Sequence, residues 1–470
     1  MNPPLAFLNN QTIEDIHAGT LRILSEVGIR LTHPQALDVL VGAGGTVDHD
    51  RVLLPPDLVE KAIGKCPTRV RLLSRGGVEI ILGEGDLHWH NLGGARDVHE
   101  PAKGKNRPAS VQDVIDAARI LDALSNCTTI TPFFTPQDVP GSLMSLAMYR
   151  HTIPHTTKSV HGPGVQTADE VQYLCRMAEV LGTPSEILSI GISPISPLTF
   201  PDNLTAAILA TSQAGIPFGP LPCPTAGLTA PLSIAGALTQ QNAEVLASIV
   251  IAQLVNPGLP VFYCGRLALL EPRTGGSVWG GVELGMVSAA TVQIGHRYGL
   301  PVNVYGFSTN AHDIGIQNGY ERALNAVIPA MAGADELSGI GEISAGVCGS
   351  FAQMVIDDEI AAGVRRLQRG FSVDEDSLAI NLIGEVMGNN TNFISDSHTV
   401  RYLRQGELLL TKLAERHSES EWEKMDREGL VERAQAKANK ILSKHEIEPL
   451  SEIQNSELDN ILHAAEKQLG

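Results

Sequence analysis

From residue 128 to residue 340 the chain repeats one pattern: a run of four to six mostly apolar residues, then a longer stretch with helical spacing. The short runs are Thr128–Thr131, Thr157–His161, Ile187–Ile192, Ile216–Leu221, Pro260–Cys264, Val302–Tyr305 and Glu336–Ile340, with a weaker one near Phe393. Helical patterns cover Val111–Leu124, Ala168–Leu181, Asn203–Ala214, Ile234–Leu254, Val282–Tyr298, Gln317–Met331 and Phe351–Leu367. Runs that stay apolar without alternating belong to strands buried on both faces, and strands separated by helices pair in parallel through right-handed crossovers. About eight such repeats close most naturally into a (β/α)8 barrel of the TIM type. An open doubly wound sheet is the alternative, but no GxGxxG follows the first run. The expected class is α/β, with the barrel over residues 111–410.

Residues 1–110 precede this alternation, with a helix expected over Thr12–Val27 and short strands over Val52–Leu54, Val70–Leu73 and Val78–Leu82. They read as an N-terminal α+β cap that closes over the barrel mouth. Beyond residue 410 the composition turns to charged helix formers that cannot continue a barrel core, so residues 411–470 read as a solvated helical tail.

With 470 residues and 43% hydrophobic composition the chain can bury a large core. A formal charge of −18 sets its surface against nucleic acid and anionic membranes. No residue from Asn203 to Ala243 is charged, and Val245–Val255 is strongly apolar. That run is far shorter than the roughly 20 residues of a membrane span, and Pro220, Pro222, Pro224, Pro231 and Pro257 punctuate the region. Cys66, Cys127, Cys175, Cys223, Cys264 and Cys348 show no CxxC spacing, so neither a disulfide framework nor a zinc knuckle is indicated. The opening MNPPLAFLNNQ has no basic segment followed by an apolar one, and a cytoplasmic location is expected.

Chemistry in a TIM-type barrel gathers at the C-terminal strand ends. The run ending at Val160 delivers His161 ahead of Gly162-Pro163-Gly164, and the run ending at Val304 delivers Tyr305, followed by Ser308, Asn310, His312 and Asp313. The next leads to Glu342, Ser344, Cys348 and Ser350 among glycines. Upstream, His88-Trp89-His90-Asn91 and Gly93-Gly94-Ala95-Arg96 set amide, aromatic and cationic groups beside a glycine turn. Glu342 stands out among the acids because no helix start needs it as a cap. Asp313 precedes a helix whose dipole a carboxylate stabilises, and Glu244, inside a small-residue helix, reads as a structural salt-bridge partner. His161 either holds its turn or acts at the site, and Cys348 is either filler or wall. His88 and His90 alternate onto one strand face and would suit a metal, but no third ligand accompanies them.

The chain also resembles a known family. A Pro-led turn, Asn242-Ala243-Glu244 in a small-residue helix and Asn256-Pro257-Gly258 before a strand are followed by Asp313 with Gln317, then Ala332-Gly333-Ala334. The run Gln353-Met354-Val355-Ile356-Asp357-Asp358-Glu359 and His398-Thr399 complete a pattern similar to the trimethylamine methyltransferase family from about Asn91 to Trp422. The resemblance implies a barrel and an oligomer. It also implies transfer of a methyl group from a methylamine to the cobalt of a corrinoid (cobalamin) carried by a separate small protein. One branch handles trimethylamine and uses pyrrolysine. Another lacks pyrrolysine and demethylates glycine betaine or related quaternary amines, and this chain contains no pyrrolysine.

A quaternary ammonium leaves as a neutral tertiary amine, so no general acid is required, only a strong nucleophile, positioning and exclusion of water. Glycine betaine needs an aromatic or carboxylate lining for its cation, for which Tyr305, Trp89 and Glu342 are available. Its carboxylate needs donors, for which Asn91, Arg96 and His161 are available, with Asp313 and Cys348 as further substrate-binding candidates. Glu342 and His161 are the expected catalytic pair, with no tightly bound metal and with the corrinoid supplied by a partner protein or free in solution. Two other readings remain open. A metal-dependent hydrolase of the amidohydrolase type would use His88 and His90 as an HxH pair, although that pair falls in the expected cap. A non-catalytic sensor of methylamines would only bind. The helix Ile234–Leu254 offers a flat apolar face on which self-association is expected.

Overall fold

Two four-stranded parallel sheets carry the fold, seen in a computed structural model that describes residues 5–389 and 391–469. In chain order their strands are β1 (His88–Asn91), β2 (Thr129–Ile130), β3 (Ser159–His161), β4 (Leu188–Ile192), β5 (Phe218–Pro220), β6 (Tyr263–Cys264), β7 (Val302–Tyr305) and β8 (Glu336–Ile340). Each is followed by a helix: α1 (Val111–Ala123), α2 (Met144–Thr152), α3 (Ala168–Glu179), α4 (Asp202–Gln213), α5 (Ile234–Val255), α6 (Val282–Arg297), α7 (Ile316–Met331) and α8 (Phe351–Arg369). The sheets run β2-β3-β4-β5 and β6-β7-β8-β1. They meet at two seams. At one, Phe218 N donates to Pro260 O at 3.0 Å and Phe262 N to Phe218 O at 2.9 Å; at the other, Thr128 N donates to Trp89 O at 2.8 Å. This is a TIM-type α/β arrangement with its apolar strands buried beneath the helices.

Two strand readings need correction. The strand layer begins at β1, inside the region expected to be cap, because β1 pairs in parallel with β8. His-Trp-His-Asn is too polar to read as a buried strand: His90 faces a cavity and Trp89 stacks on Phe307 in the core, with ring centroids 4.7 Å apart. The weak run near Phe393 is not a strand, since Phe393 lies exposed in a loop before a helix at Ser397–Arg404.

The N-terminal residues do not close the mouth as expected. The hairpin Val70–Leu73/Glu79–Leu82 packs under the opposite end, where Gly76 N donates to Thr157 O at 3.0 Å and Arg75 Nε to Thr156 O at 3.1 Å, just ahead of β3. Its apolar residues Val70, Leu72, Ile80 and Leu82 pack on Phe262 and Cys264 and so floor the strand layer. A second hairpin, Asp97–Glu100 with Lys105–Pro108, does reach the C-terminal rim, where it pairs with Cys348–Gly349 and through that with Glu342–Ile343.

The face of α5 expected to associate with another chain is covered by its own. Helices Asn10–Arg22 and Pro56–Ile63, together with α4 and α6, pack around it, and nearly every side chain from Ala237 to Gln253 is buried. Glu244 forms no ion pair there; it accepts from Ser196 Oγ at 2.7 Å, Leu198 N at 2.9 Å and Gln240 Nε2 at 3.0 Å. After α8 come α9 (Ile380–Asn389), α10 (Ser397–Arg404), α11 (Leu430–Lys444), which packs on α1 and α8, and α12 (Glu452–Leu469), which packs on α2 and α3. Among the described residues no helix is long and apolar enough to cross a membrane.

Candidate active site

A cavity of about 530 Å³ opens at the C-terminal ends of the strands. Inward positions build it: His90 from β1, His161 from β3, Ser189 from β4, Asn303 and Tyr305 from β7, Glu336 from β8, and Arg266 just beyond β6. Small residues leave the space open. Gly219 of β5 is one, since a Cβ there would lie 3.1 Å from Cys264 Sγ.

Glu336 organises the polar part. Its Oε1 accepts from Thr129 Oγ1 at 2.6 Å and from His161 Nε2 at 3.0 Å, while Oε2 accepts from Asn303 Nδ2 at 2.5 Å. Asn303 Nδ2 also donates to His90 Nε2 at 3.0 Å, which makes Nδ1 the protonated nitrogen of His90, placed 3.2 Å from Thr131 Oγ1. The other end of the same amide, Asn303 Oδ1, accepts from Arg266 Nη2, and Arg266 Nη1 donates to Asn303 O at 2.7 Å. His161 Nδ1 meets Ser189 Oγ, so both nitrogens of that ring are fixed. The guanidinium of Arg266 lies over the Tyr305 ring, 4.9 Å from its centroid.

Burial works against ionisation of Glu336, but the His161 imidazole and the hydrogen bonds from His161 and Thr129 outweigh it and hold the carboxyl well below the usual carboxylate range. Burial pushes His90 down to about 4, which leaves it neutral at pH 7. The other carboxylate lining the cavity, Glu170, is spent on its own helix start: its Oε2 accepts from Thr167 N at 2.9 Å and its Oε1 from Ser145 Oγ at 2.6 Å. Glu336 and Arg266 are the charged pair at the cavity wall, joined through the Asn303 amide.

Of the expected catalytic and substrate-binding residues, His161 and Tyr305 line this cavity. The other six do not. Glu342 is buried outside it, in the rim sheet, with Oε1 lacking a hydrogen-bond partner, and burial raises its carboxyl to about 8. The loop that carries it is pinned by Arg322, which donates to Glu342 O at 2.6 Å and pairs with Asp357. Asn91 fastens β1 to the start of the next loop, donating to Thr131 O at 2.6 Å and accepting from Thr131 N at 3.1 Å. Trp89 points into the core and Cys348 is buried in the rim sheet. Arg96 is exposed and paired with Asp97 at 3.1 Å, and Asp313 is exposed, 3.4 Å from His99 Nε2.

The HxH pair does sit on a strand of the layer, contrary to the expectation that placed it in the cap, yet only His90 reaches the cavity. Among the described residues no three His, Cys, Asp or Glu side chains gather as a metal set.

Residues 1–470 match the trimethylamine methyltransferase (MTTB) family. The chain belongs to that family. It is 28% identical to the trimethylamine methyltransferase MttB of Desulfitobacterium hafniense over 475 residues, covering 99% of this chain and 95% of that protein. It is also 28% identical to the glycine betaine methyltransferase of Desulfitobacterium hafniense over 452 residues, covering 94% of this chain and 93% of that one. Its fold matches the solved structure of the Methanosarcina barkeri monomethylamine methyltransferase, with a TM-score of 0.54 and 14% identity over 99% of this chain and 88% of that one.

Within this trimethylamine methyltransferase family member, sequence reasoning missed Glu336, Asn303, Arg266 and Ser189. The signal for Glu336 was available: a carboxylate opening an otherwise apolar strand is costly unless something inside the fold pairs with it.

Proposed function

We propose that the protein takes a methyl group from a quaternary amine that carries a carboxylate and passes it to cobalt(I) of a corrinoid, held by a separate protein or free in solution. Glycine betaine, giving dimethylglycine, fits best. The observation behind this reading is Asn303, whose single amide joins the Glu336 carboxylate to the Arg266 guanidinium at the cavity wall. Charges of both signs in one cavity suit a zwitterion better than a bare cation. Membership of a methyltransferase family and the likeness to a glycine betaine methyltransferase support the same choice.

Each residue then has a task that needs no acid or base. Glu336 gives the cavity the negative potential a quaternary nitrogen requires, and His161, Thr129 and Asn303 hold it ionised and in place. Phe262 and the uncovered part of the Tyr305 ring supply faces for the methyl groups, worth about 0.5 to 2 kcal/mol for a cation over a ring. Arg266 takes the carboxylate. The corrinoid is the methyl acceptor and supplies the nucleophile, while the protein orients one N-methyl toward the mouth and keeps water out. Glu342, Asn91, Trp89 and Cys348 stiffen the wall behind the cavity. Arg96 and Asp313 stand exposed on the rim that the acceptor protein approaches. The reading carries with it a cytoplasmic location and no tightly bound metal.

The test is an anaerobic assay with cobalt(I) cobalamin and a panel of amines, followed by the absorbance change on methyl-cobalt formation. Methylation from glycine betaine or another carboxylated quaternary amine, and not from tetramethylammonium or trimethylamine, is expected. Equal rates with tetramethylammonium would overturn the zwitterion reading, and transfer from trimethylamine alone would overturn the quaternary one.

A further inference from the structure

The carboxylate subsite assigned to Arg266 is supported from outside the cavity. Arg266 Nη1 donates to Asn303 O at 2.7 Å and to Gly265 O at 3.2 Å, and Nη2 donates to Asn303 Oδ1, so Asn303 takes the end of the guanidinium. Nε and the second Nη2 hydrogen have no partner among the described residues. They form the open edge of the fork, and two adjacent N–H groups of this kind match the two oxygens of a carboxylate. A guanidinium stacks on an aromatic face, and here that face is the Tyr305 ring, whose centroid lies 4.9 Å from the guanidinium carbon.

Tyr305 ends β7 and is itself held by Trp279, with ring centroids 4.8 Å apart and planes at 78°. Trp279 does not line the cavity. It stands at the base of a hairpin that grows straight out of the segment carrying Arg266: Ala268–Leu270 runs antiparallel to Ser277–Val278, with Leu269 opposite Val278. One side chain latches this base. Asn310 Oδ1 accepts from Trp279 N at 2.6 Å and from Gly280 N at 2.9 Å, and Asn310 Nδ2 donates to Ser277 O at 3.0 Å. The Asn310 loop is fixed in turn by Glu321 of α7, whose Oε2 accepts from Asn310 N at 3.0 Å and from Thr309 Oγ1 at 2.5 Å. A Cβ at Gly280 would collide with the Glu321 carboxylate, so only glycine lets the hairpin base sit this close.

We propose that Trp279 is a positioning residue for the substrate carboxylate: through Tyr305 it sets the plane of the Arg266 fork, and Asn310 sets Trp279. The inference rests on the zwitterion reading above and adds to it the part of the fold that selects for a carboxylate. A phenol ring at a strand end is otherwise free to turn about two side-chain bonds. An edge-on indole removes that freedom, and an aromatic contact of this kind shifts an equilibrium by about two- to tenfold. The cation end does not pass through Trp279, because Glu336 is held by Thr129, His161 and Asn303. Losing the indole therefore acts on the carboxylate end of a ligand and spares the ammonium end.

The test is calorimetric binding of glycine betaine and of tetramethylammonium to the full chain and to Trp279→Ala, Trp279→Phe and Asn310→Ala, with Tm to check that each variant folds. Trp279→Ala is expected to weaken glycine betaine about three- to tenfold and tetramethylammonium by no more than about twofold. Asn310→Ala, which leaves the indole in place but frees its loop, should shift the ratio of the two dissociation constants in the same direction. Trp279→Phe keeps an aromatic edge against Tyr305 and should restore most of the wild-type ratio. A wild type that binds glycine betaine no more tightly than tetramethylammonium overturns the zwitterion reading and this inference with it. A wild type that prefers glycine betaine, with both alanine variants keeping its ratio, overturns this inference alone, whether or not the two ligands weaken together. So does a Trp279→Phe variant as impaired as Trp279→Ala.

Discussion

Glu336 and Glu342 bracket the last parallel strand, both almost fully buried, and they are held in opposite states. Burial pushes both carboxyls up. Around Glu336 a threonine, a histidine and an asparagine donate to the two oxygens, and the carboxylate stays ionised. Around Glu342 the nearest cation, Arg322, spends its donors on main-chain carbonyls and on Asp357, so Oε1 is left alone and the carboxyl rises to about 8. Burial sets the cost of a charge, and the partners decide whether it is met. The inside of the strand layer meets it, as the proposed cation-binding cavity requires, and the rim sheet does not.

The largest effect should come from emptying the first site. Glu336→Ala leaves His161 and Asn303 buried without their acceptor, a change that typically costs 3–5 kcal/mol for a broken buried pair, about what urea unfolding at pH 7 should show. Methyl transfer should fall by roughly 100- to 1,000-fold, the usual consequence of losing one preorganised electrostatic partner. Because the folded carboxyl is depressed, its stabilisation is present above the ordinary carboxylate range and is lost as pH falls through the folded value. Glu336→Gln should therefore lose stability at pH 7 and lose less on acidification than the wild type. An alanine variant as stable and as active as the wild type would erase the contrast between the two glutamates.

The second glutamate should respond in the other direction. With its carboxyl raised from 4.5 to about 8, the stability Glu342 contributes is complete below the unfolded value and is lost as pH rises toward 8. At about 1.4 kcal/mol per pH unit, the loss amounts to a few kcal/mol. Glu342→Gln should leave stability at pH 5 nearly unchanged and raise it at pH 8.5, visible as a higher denaturation midpoint. A lower midpoint at pH 8.5 would mean that Glu342 has a cationic partner in solution and resembles Glu336 after all.

Arg266 sharpens the comparison from the substrate side, because it shares Asn303 with Glu336. Arg266→Ala removes one charge-assisted contact to a bound carboxylate, about 1.5–3 kcal/mol, so KM for glycine betaine should rise roughly 10- to 100-fold. Binding of tetramethylammonium, which has no carboxylate, should hold or improve. An equal loss for both ligands would make Arg266 a support for Asn303 and not a binding group.

The strand and helix periodicity of residues 128–369 was legible because buried parallel strands need uninterrupted apolar runs, and most of those runs became strands. β1 was not, since His90 faces the cavity and breaks the run. The site was half legible for a related reason. His161 and Tyr305 stand at strand ends, where the position rule finds them. Glu336 opens its strand and Asn303 lies inside one, so only the direction in which each side chain points makes them part of a site, and a parallel strand buried on both faces gives no alternation from which to read that direction. Glycine-rich surroundings favoured Glu342, but those glycines shape the rim loop and not the cavity.

Arg96 should give the smallest effect and the cleanest check on where a carboxylate binds. It was the cation nearest to hand in the sequence, yet it belongs to the Glu342 side of the comparison: its main-chain N donates to Val347 O at 2.9 Å within the rim sheet. Its side chain is exposed and pairs with the neighbouring Asp97. Exposed pairs of that kind contribute about 0–1 kcal/mol. Arg96→Ala should therefore keep the stability of the wild type to within about 0.5 kcal/mol and leave KM for the amine unchanged. If the acceptor protein meets this rim, removing one cation from it should alter the rate of methyl transfer to that protein and its salt dependence, but not the rate to free cobalamin. A tenfold rise in KM for glycine betaine with free cobalamin would move the carboxylate subsite from Arg266 to Arg96, and with it the boundary between the two regions.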